Sequence, residues 1–248
     1  MVNSTLAIVI FILLTISYFI ILNILGENSR TPITIVYYCS VVLSQLYIAY
    51  QISKSACGTP QIGDIFIWSI VPWIIIFFSL NLLLRLFPGW KSPFSNTFGY
   101  LVTRIMGIKS LFNSLIKSNF NTNDKGLSKI AEYIFEDQSI LINEMTPNNF
   151  DNSIKKLDKL WDKSDTDFSK NMERLKYLVS VKDYISEMIW YLLTGILTIS
   201  ISSMGLLSSK CGKSVSQIKD EVEKYKAEIK AQKENEKNKK ERIYYIRE

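Results

Sequence analysis

Apolar positions along the chain gather into four long blocks, Thr5 to Leu25, Ile33 to Ile52, Ile65 to Phe87 and Met188 to Leu207, with polar and charged residues between and after them. At a rise of about 1.5 Å per helical residue, blocks of roughly twenty residues match a hydrocarbon layer of about 30 Å. Each block therefore predicts a membrane-crossing helix. The predicted fold class is an all-α membrane protein with about four transmembrane helices, a small, mainly helical soluble insert and a charged C-terminal helix. Arg85 lies near the end of the third block, where a long side chain snorkels toward water at reduced cost. The first block has no basic residue before it and no small-x-small site after it, so a retained anchor is expected rather than a cleaved leader. The connections GENSRTP (26–32) and SKSACGTPQIGD (53–64) are short, which makes consecutive spans antiparallel neighbours and residues 1–87 a three-span bundle. Pro72 removes a backbone donor inside the third span and predicts a kink there.

The stretch FPGWKSPFSNTFGY (87–100) follows the third span directly. Phe87, Trp90, Phe94, Phe98 and Tyr100 fall where an aromatic belt forms at a membrane surface. Pro88, Gly89 and Pro93 predict a break and a turn, and Ser95, Asn96 and Thr97 offer N-caps for a following helix. Together these residues make a candidate elbow, rigid and aromatic, of a kind suited to docking a partner. Beyond it, Leu101, Ile105, Ile108, Phe112 and Leu115 recur at helical spacing, with Arg104, Lys109 and Lys117 supplying charge. Two readings fit this stripe. It forms either an amphipathic helix lying in the membrane interface, which makes 88–118 an elbow-and-interfacial-helix region, or a core helix of the domain that follows.

Residues 119–182 form the soluble insert, too short for a large independent core. Gly126 to Phe135 predicts a short helix, and SILINEM (139–145) a strand or extended segment. Thr146-Pro147 reads as a helix start, with Phe150, Ile154, Leu157 and Trp161 as its core face. Asp167 to Lys182 is amphipathic, carrying Phe168, Met172, Leu175 and Val179, and is expected to run into the fourth span (183–208). In the tail (209–248), Val215, Ile218, Val222, Tyr225 and Ile229 step as two heptads of an a/d seam. That is too short for a free coiled coil, so it is either a seam that docks on a partner or an exposed charged helix. Ile243-Tyr244-Tyr245-Ile246 is a second candidate contact.

Composition narrows the chemistry. The 248-residue chain is 48% hydrophobic, carries a formal charge of +6 and contains no histidine. Without histidine the Ser-His and Cys-His nucleophiles, most zinc sites and the usual neutral-pH general base are lost, so no enzyme activity, metal or cofactor is expected. Gly212-Lys213-Ser214 resembles the end of a phosphate-binding loop, but position 207, where that motif needs glycine, is leucine. Cys39, Cys57 and Cys211 are widely spaced. The plainest expectation is free thiols, with pairing of Cys57 in an oxidising compartment and acylation of Cys211 as alternatives. Asn23, Gln45 and Asn81 are amides within spans, expected as interhelical hydrogen-bond glue or, alternatively, as the lining of a conduction path. The positive charge favours a lipid bilayer or an acidic partner over sequence-specific nucleic acid binding. With four spans, the last of them separates insert from tail, which puts the two on opposite membrane faces. Lys91, Arg104, Lys109 and Lys117 on one side and Lys210, Lys213 and Lys219 on the other leave the orientation undecided.

The series Cys57-Gly58-Thr59-Pro60-Gln61, Pro72-Trp73, Phe87-Pro88-Gly89-Trp90 and Pro93-Phe94-Ser95-Asn96-Thr97-Phe98-Gly99-Tyr100 resembles a membrane protein of the nucleocytoplasmic large DNA viruses of phycodnavirus and mimivirus type. The likeness covers roughly residues 55 to 105, and more loosely LINEMTPNNFD (141–151). It implies a virion component in the bilayer beneath the capsid shell, a transmembrane minor capsid protein joining membrane to shell. Capsid or other virion proteins, and further copies of the chain, are then the expected partners. It also leaves open a role in membrane fusion, in assembly, or as a small channel.

Overall fold

The computed structural model describes residues 4–117, 133–134, 136–137, 139–164, 166–209, 222–230 and 232. These residues are almost wholly helical. Helices α1 (Ser4–Leu25), α2 (Arg30–Cys57) and α3 (Ile62–Leu86) are each long and apolar enough to cross a membrane. A helical path over 88–105 (α4) and a short helix α5 (Ile108–Leu115) follow, then α6 (Ser139–Glu144), α7 (Phe150–Lys156) and the 41-residue α8 (Phe168–Ser208), whose C-terminal half is the fourth candidate span.

Two apolar cores are built on these elements. The first joins α1, α2, α3 and the C-terminal half of α8 around an aromatic cluster. Phe11 meets Trp73 and Phe77 edge-on, at centroid distances of 5.9 and 5.8 Å. Tyr18 stacks on Tyr37 at 4.4 Å. The tyrosine hydroxyls find partners, Tyr37 on Thr15 at 3.0 Å, Tyr18 on Thr34 at 2.9 Å and Tyr38 on Tyr191 at 3.3 Å, while the buried Ser69 and Ser202 hydroxyls have none. Small residues on α8 let the helices approach closely: a Cβ on Gly195 would lie 2.0 Å from Phe11 Cζ, and one on Gly205 2.1 Å from the Trp68 ring. The expected interruption at Pro72 takes the form of a π-helical turn over Trp73–Phe78. Lacking an N–H, the proline leaves the ladder to widen, and the wider turn carries Trp73 and Phe77 into the core.

Of the span amides, Gln45 donates from α2 to the Ala7 carbonyl of α1 at 3.3 Å, a bond between helices. Asn81 instead donates within α3, to Phe77 at 2.7 Å. Cys57 is disulfide-bonded, which departs from the expectation of three free thiols, while Cys39 is free and exposed. Cys211 lies outside the described residues.

The second core belongs to the insert. Ile108, Leu111, Phe112 and Leu115 of α5 are buried against Leu141, Ile142, Met145, Phe150, Leu160, Trp161 and the N-terminal half of α8. Residues 108–116 thus belong to the core of the insert, as the second of the two readings expects. Residues 98–118 do not form one continuous helix: the path breaks at Met106-Gly107, where Gly107 has φ +91°, a left-handed turn that favours glycine. The stripe splits there, Leu101 and Ile105 remaining exposed while Ile108, Phe112 and Leu115 enter the insert core.

Three local expectations are also corrected. SILINE, the first six residues of SILINEM, is helical rather than extended, because Leu141, Ile142 and, just past its end, Met145 are all buried, a spacing that one face of a helix provides and an alternating strand does not. The helix start at Thr146-Pro147 moves to Phe150: Thr146 N–H donates to Asn149 Oδ1 at 2.7 Å and Asn149 N–H returns to Thr146 Oγ1 at 3.3 Å, closing a turn ahead of the helix. Trp161 is buried as expected but lies beyond α7, in extended chain bridged to Ile116, with its ring nitrogen donating to the Ile154 carbonyl at 3.0 Å. The predicted helix from Gly126 falls largely outside the described residues.

Candidate functional site: the junction of bundle and insert

Charge divides α8 into two halves. Residues 188–208 carry no charged side chain, whereas 168–187 include Glu173, Arg174, Lys176, Lys182, Asp183 and Glu187. The 20 residues of that second group extend the helix about 30 Å beyond its apolar segment. The elbow packs along this extension. As the chain advances from Trp90 to Met106, its partners on α8 recede from Trp190 to Arg174: the Trp90 and Trp190 rings are 6.0 Å apart, and Arg174 donates to the Met106 carbonyl at 3.3 Å. The two helices are therefore antiparallel, and α4 runs lengthwise on α8. Ser95, Gly99 and Thr103, four residues apart and buried, make the contact face. A Cβ on Gly99 would lie 2.6 Å from the Lys182 carbonyl oxygen, so backbone meets backbone there.

The proposed elbow residues separate by role in this geometry. Phe87 stacks on Trp90 at 5.8 Å and both rings are exposed, while Phe94 is half-buried edge-on against Trp190 at 6.0 Å. Pro88 and Gly89 follow the break at Phe87, and Pro93 sits in a first helical turn, which tolerates it. Ser95 does not cap a helix, since the helical path is already running and passes through 95–99 as a wide π turn. Asn96 is exposed and Tyr100 half-buried against the insert core. Phe98, Leu101 and Ile105, 49, 54 and 79% exposed, lie at helical spacing on the outer face.

Charges that the sequence reading did not pair meet at this level. Arg30, the first residue of α2, donates to both carboxylate oxygens of Glu187 at 2.6 and 2.5 Å, and Lys91 donates to Asp183 at 2.7 Å. Lys182, outside the membrane-crossing segment, is 1% exposed. Its ammonium donates to the Ile142 carbonyl at 2.5 Å, near the C-terminus of α6, where unpaired carbonyls favour a cation. Burial holds its pKa down to about 8. Because the partners of these side chains lie more than a hundred residues apart or on another element, only their three-dimensional neighbours identify them.

Elbow and insert also enclose a cleft of about 460 Å3 between residues 88–96 of α4, the 143–148 turn, Arg30 and α8. It brings together two stretches, 88–96 and 143–148, that lie far apart in the sequence. Among the described residues no cluster of three or more acidic or cysteine side chains suits a metal ion. In the tail, residues 222–230 are helical, with Val222 and Tyr225 exposed and Ile229 half-buried; Val215, Ile218 and Ile243 to Ile246 lie outside the described residues. No family model, curated protein or solved structure matches the chain, so the reading of this junction rests on its own geometry.

Proposed function

We propose that the chain is a non-enzymatic structural membrane protein of a large DNA virus, anchoring or organising the virion inner membrane and linking it to the capsid shell. The observation that carries the mechanical part is α8. At 41 residues and about 60 Å it is one uninterrupted helix that belongs to both cores. A load applied to the insert is thus passed into the bilayer through continuous helical backbone, without a flexible linker. The exposed side chains of Phe98, Leu101 and Ile105 support contact with another protein, since apolar surface of this kind on an extramembrane element favours association. Many copies in a shell would let weak contacts add. The virion part rests on the sequence likeness.

A channel draws little support from the bundle interior, where the polar void beside Gln45, Ser69 and Ser202 is about 10 Å3, the room of a single water. A fusion role through residues 98–118 is weakened by the burial of Ile108, Phe112 and Leu115 inside a folded core. The test is protease protection with cross-linking mass spectrometry on purified particles whose bilayer is intact. Cross-links from the insert or tail to shell proteins are expected. Recovery of the chain only in infected-cell membranes, and never in particles, would refute the structural role.

A further inference from the structure

The cleft at the junction has the placement and lining of a binding site. Gly89 follows the third span by a few residues and Arg30 opens the second, so the cleft stands at the level where span ends meet water. Its wall combines Arg30 and Lys91 with one acidic side chain, Asp183, and with Asn96, Asn143, Asn148 and Ser180, contributed by separate parts of the chain; Arg30 is paired with Glu187 and Lys91 with Asp183. Lys91 spends one of its three N–H donors on Asp183. Cationic side chains, a lysine with donors to spare and several amides converge on one pocket. At about 460 Å3 its volume lies within the range of small-ligand sites.

We propose that this cleft binds a phosphate ester, supplied by the headgroup of a bilayer phospholipid. Lys91, through its remaining N–H donors, and the side-chain amides of Asn96 and Asn148 donate to the phosphate oxygens. Basic pockets at the ends of transmembrane helices take lipid headgroups by the same attraction. Location selects the lipid over a soluble phosphate: the pocket opens where headgroups are concentrated. A lipid held there would fill the notch between bundle and insert and so fix the angle at which α8 leaves the membrane. The inference depends on the membrane reading alone and holds whether or not the chain belongs to a virion.

The test uses the full-length protein reconstituted in nanodiscs of mixed phosphatidylglycerol and phosphatidylcholine, then extracted into detergent and weighed by native mass spectrometry. The wild type is expected to retain a phospholipid. Asn96→Asp and Asn148→Asp place a carboxylate in the wall at exposed positions without breaking an ion pair, and should lower the retained fraction about tenfold or more. Unchanged helicity and thermal midpoint would show that these variants fold. Lys91→Gln is the second variant, with the same expected loss. A parallel titration of delipidated protein with inorganic phosphate separates the sources: phosphate binding that the Asp variants abolish, without lipid retention, overturns the lipid headgroup in favour of a soluble phosphate. Absence of both lipid and phosphate binding, or equal retention by wild type and all variants, overturns the site.

Discussion

Replacing Gly195 by alanine tests the packing of α8 on α1 most directly. The added Cβ would lie 2.0, 2.3 and 2.8 Å from three atoms of the Phe11 ring. Ordinary carbon contacts are about 3.5 to 4.0 Å, so ring or helix must retreat by roughly 1.5 Å. Phe11 has no slack to absorb this, being fully buried and set edge-on against Trp73 and Phe77. Overpacking of this kind costs about 1 to 3 kcal/mol, and a rigid ring against helix backbone belongs at the upper end. Alanine regains about 1 kcal/mol of helix propensity, which leaves a net loss of about 2 kcal/mol. Gly63→Ala is the matched control: Gly63 is helical with nothing within 4 Å of its Cβ, so the substitution should be neutral or stabilising. The assay is thermal unfolding in detergent followed by helicity, with Phe11→Leu added as the second arm of a double-mutant cycle. Because leucine lacks the clashing ring atom, the double variant should recover at least about 1 kcal/mol relative to additivity. Equal stability of Gly195→Ala and Gly63→Ala, or additive effects in the cycle, would refute the close contact.

Lys182 predicts a pH dependence. Its pKa is near 8 in the folded protein against 10.5 for an ordinary lysine, so between those values the unfolded chain holds a proton that the folded chain has shed. Stability should therefore rise with pH across that window, by about 3 kcal/mol in all, and flatten below it; thermal midpoints at pH 7.5 and 10 measure this, and Lys182→Met should remove the rise. Arg30→Ala should cost about 3 kcal/mol by leaving Glu187 buried without its partner, and adding Glu187→Leu should restore most of the loss. A double variant no more stable than the single would contradict the pairing. Gly107→Ala, at φ +91°, should destabilise the insert by about 1 kcal/mol or more, with Gly107→Asn milder, measured by urea unfolding; indifference to both would mean the turn is not left-handed.

Spans were legible in the sequence because a bilayer imposes a length and a composition that no neighbour needs to supply. The apolar blocks coincide with α1, α2, α3 and the C-terminal half of α8, and the amphipathic stretch before Met188 does continue into the last span. The aromatic elbow was also visible as a cluster of unusual residues, but its direction was not. Whether Leu101 and Ile105 lie on lipid or on a neighbouring helix depends on Ser95, Gly99 and Thr103, small residues that carry no hydrophobic signal and matter because α8 passes beside them. Likewise the TGILTISISSMG run of α8 reads as ordinary apolar sequence until Phe11 and Trp68 are found in the hollows above Gly195 and Gly205. SILINEM failed as a strand for a related reason: a short apolar run has no period of its own, and the core that buries Leu141, Ile142 and Met145 settled it. The sequence by itself determined the all-helical class and its four helices long and apolar enough to cross a membrane. Only the tertiary structure decided that α4 runs on α8, that Arg30 meets Glu187 and Lys91 meets Asp183, and that two distant stretches enclose one cleft. Hydrophobic length is a property of a segment, whereas close approach and charge pairing are properties of two segments brought together.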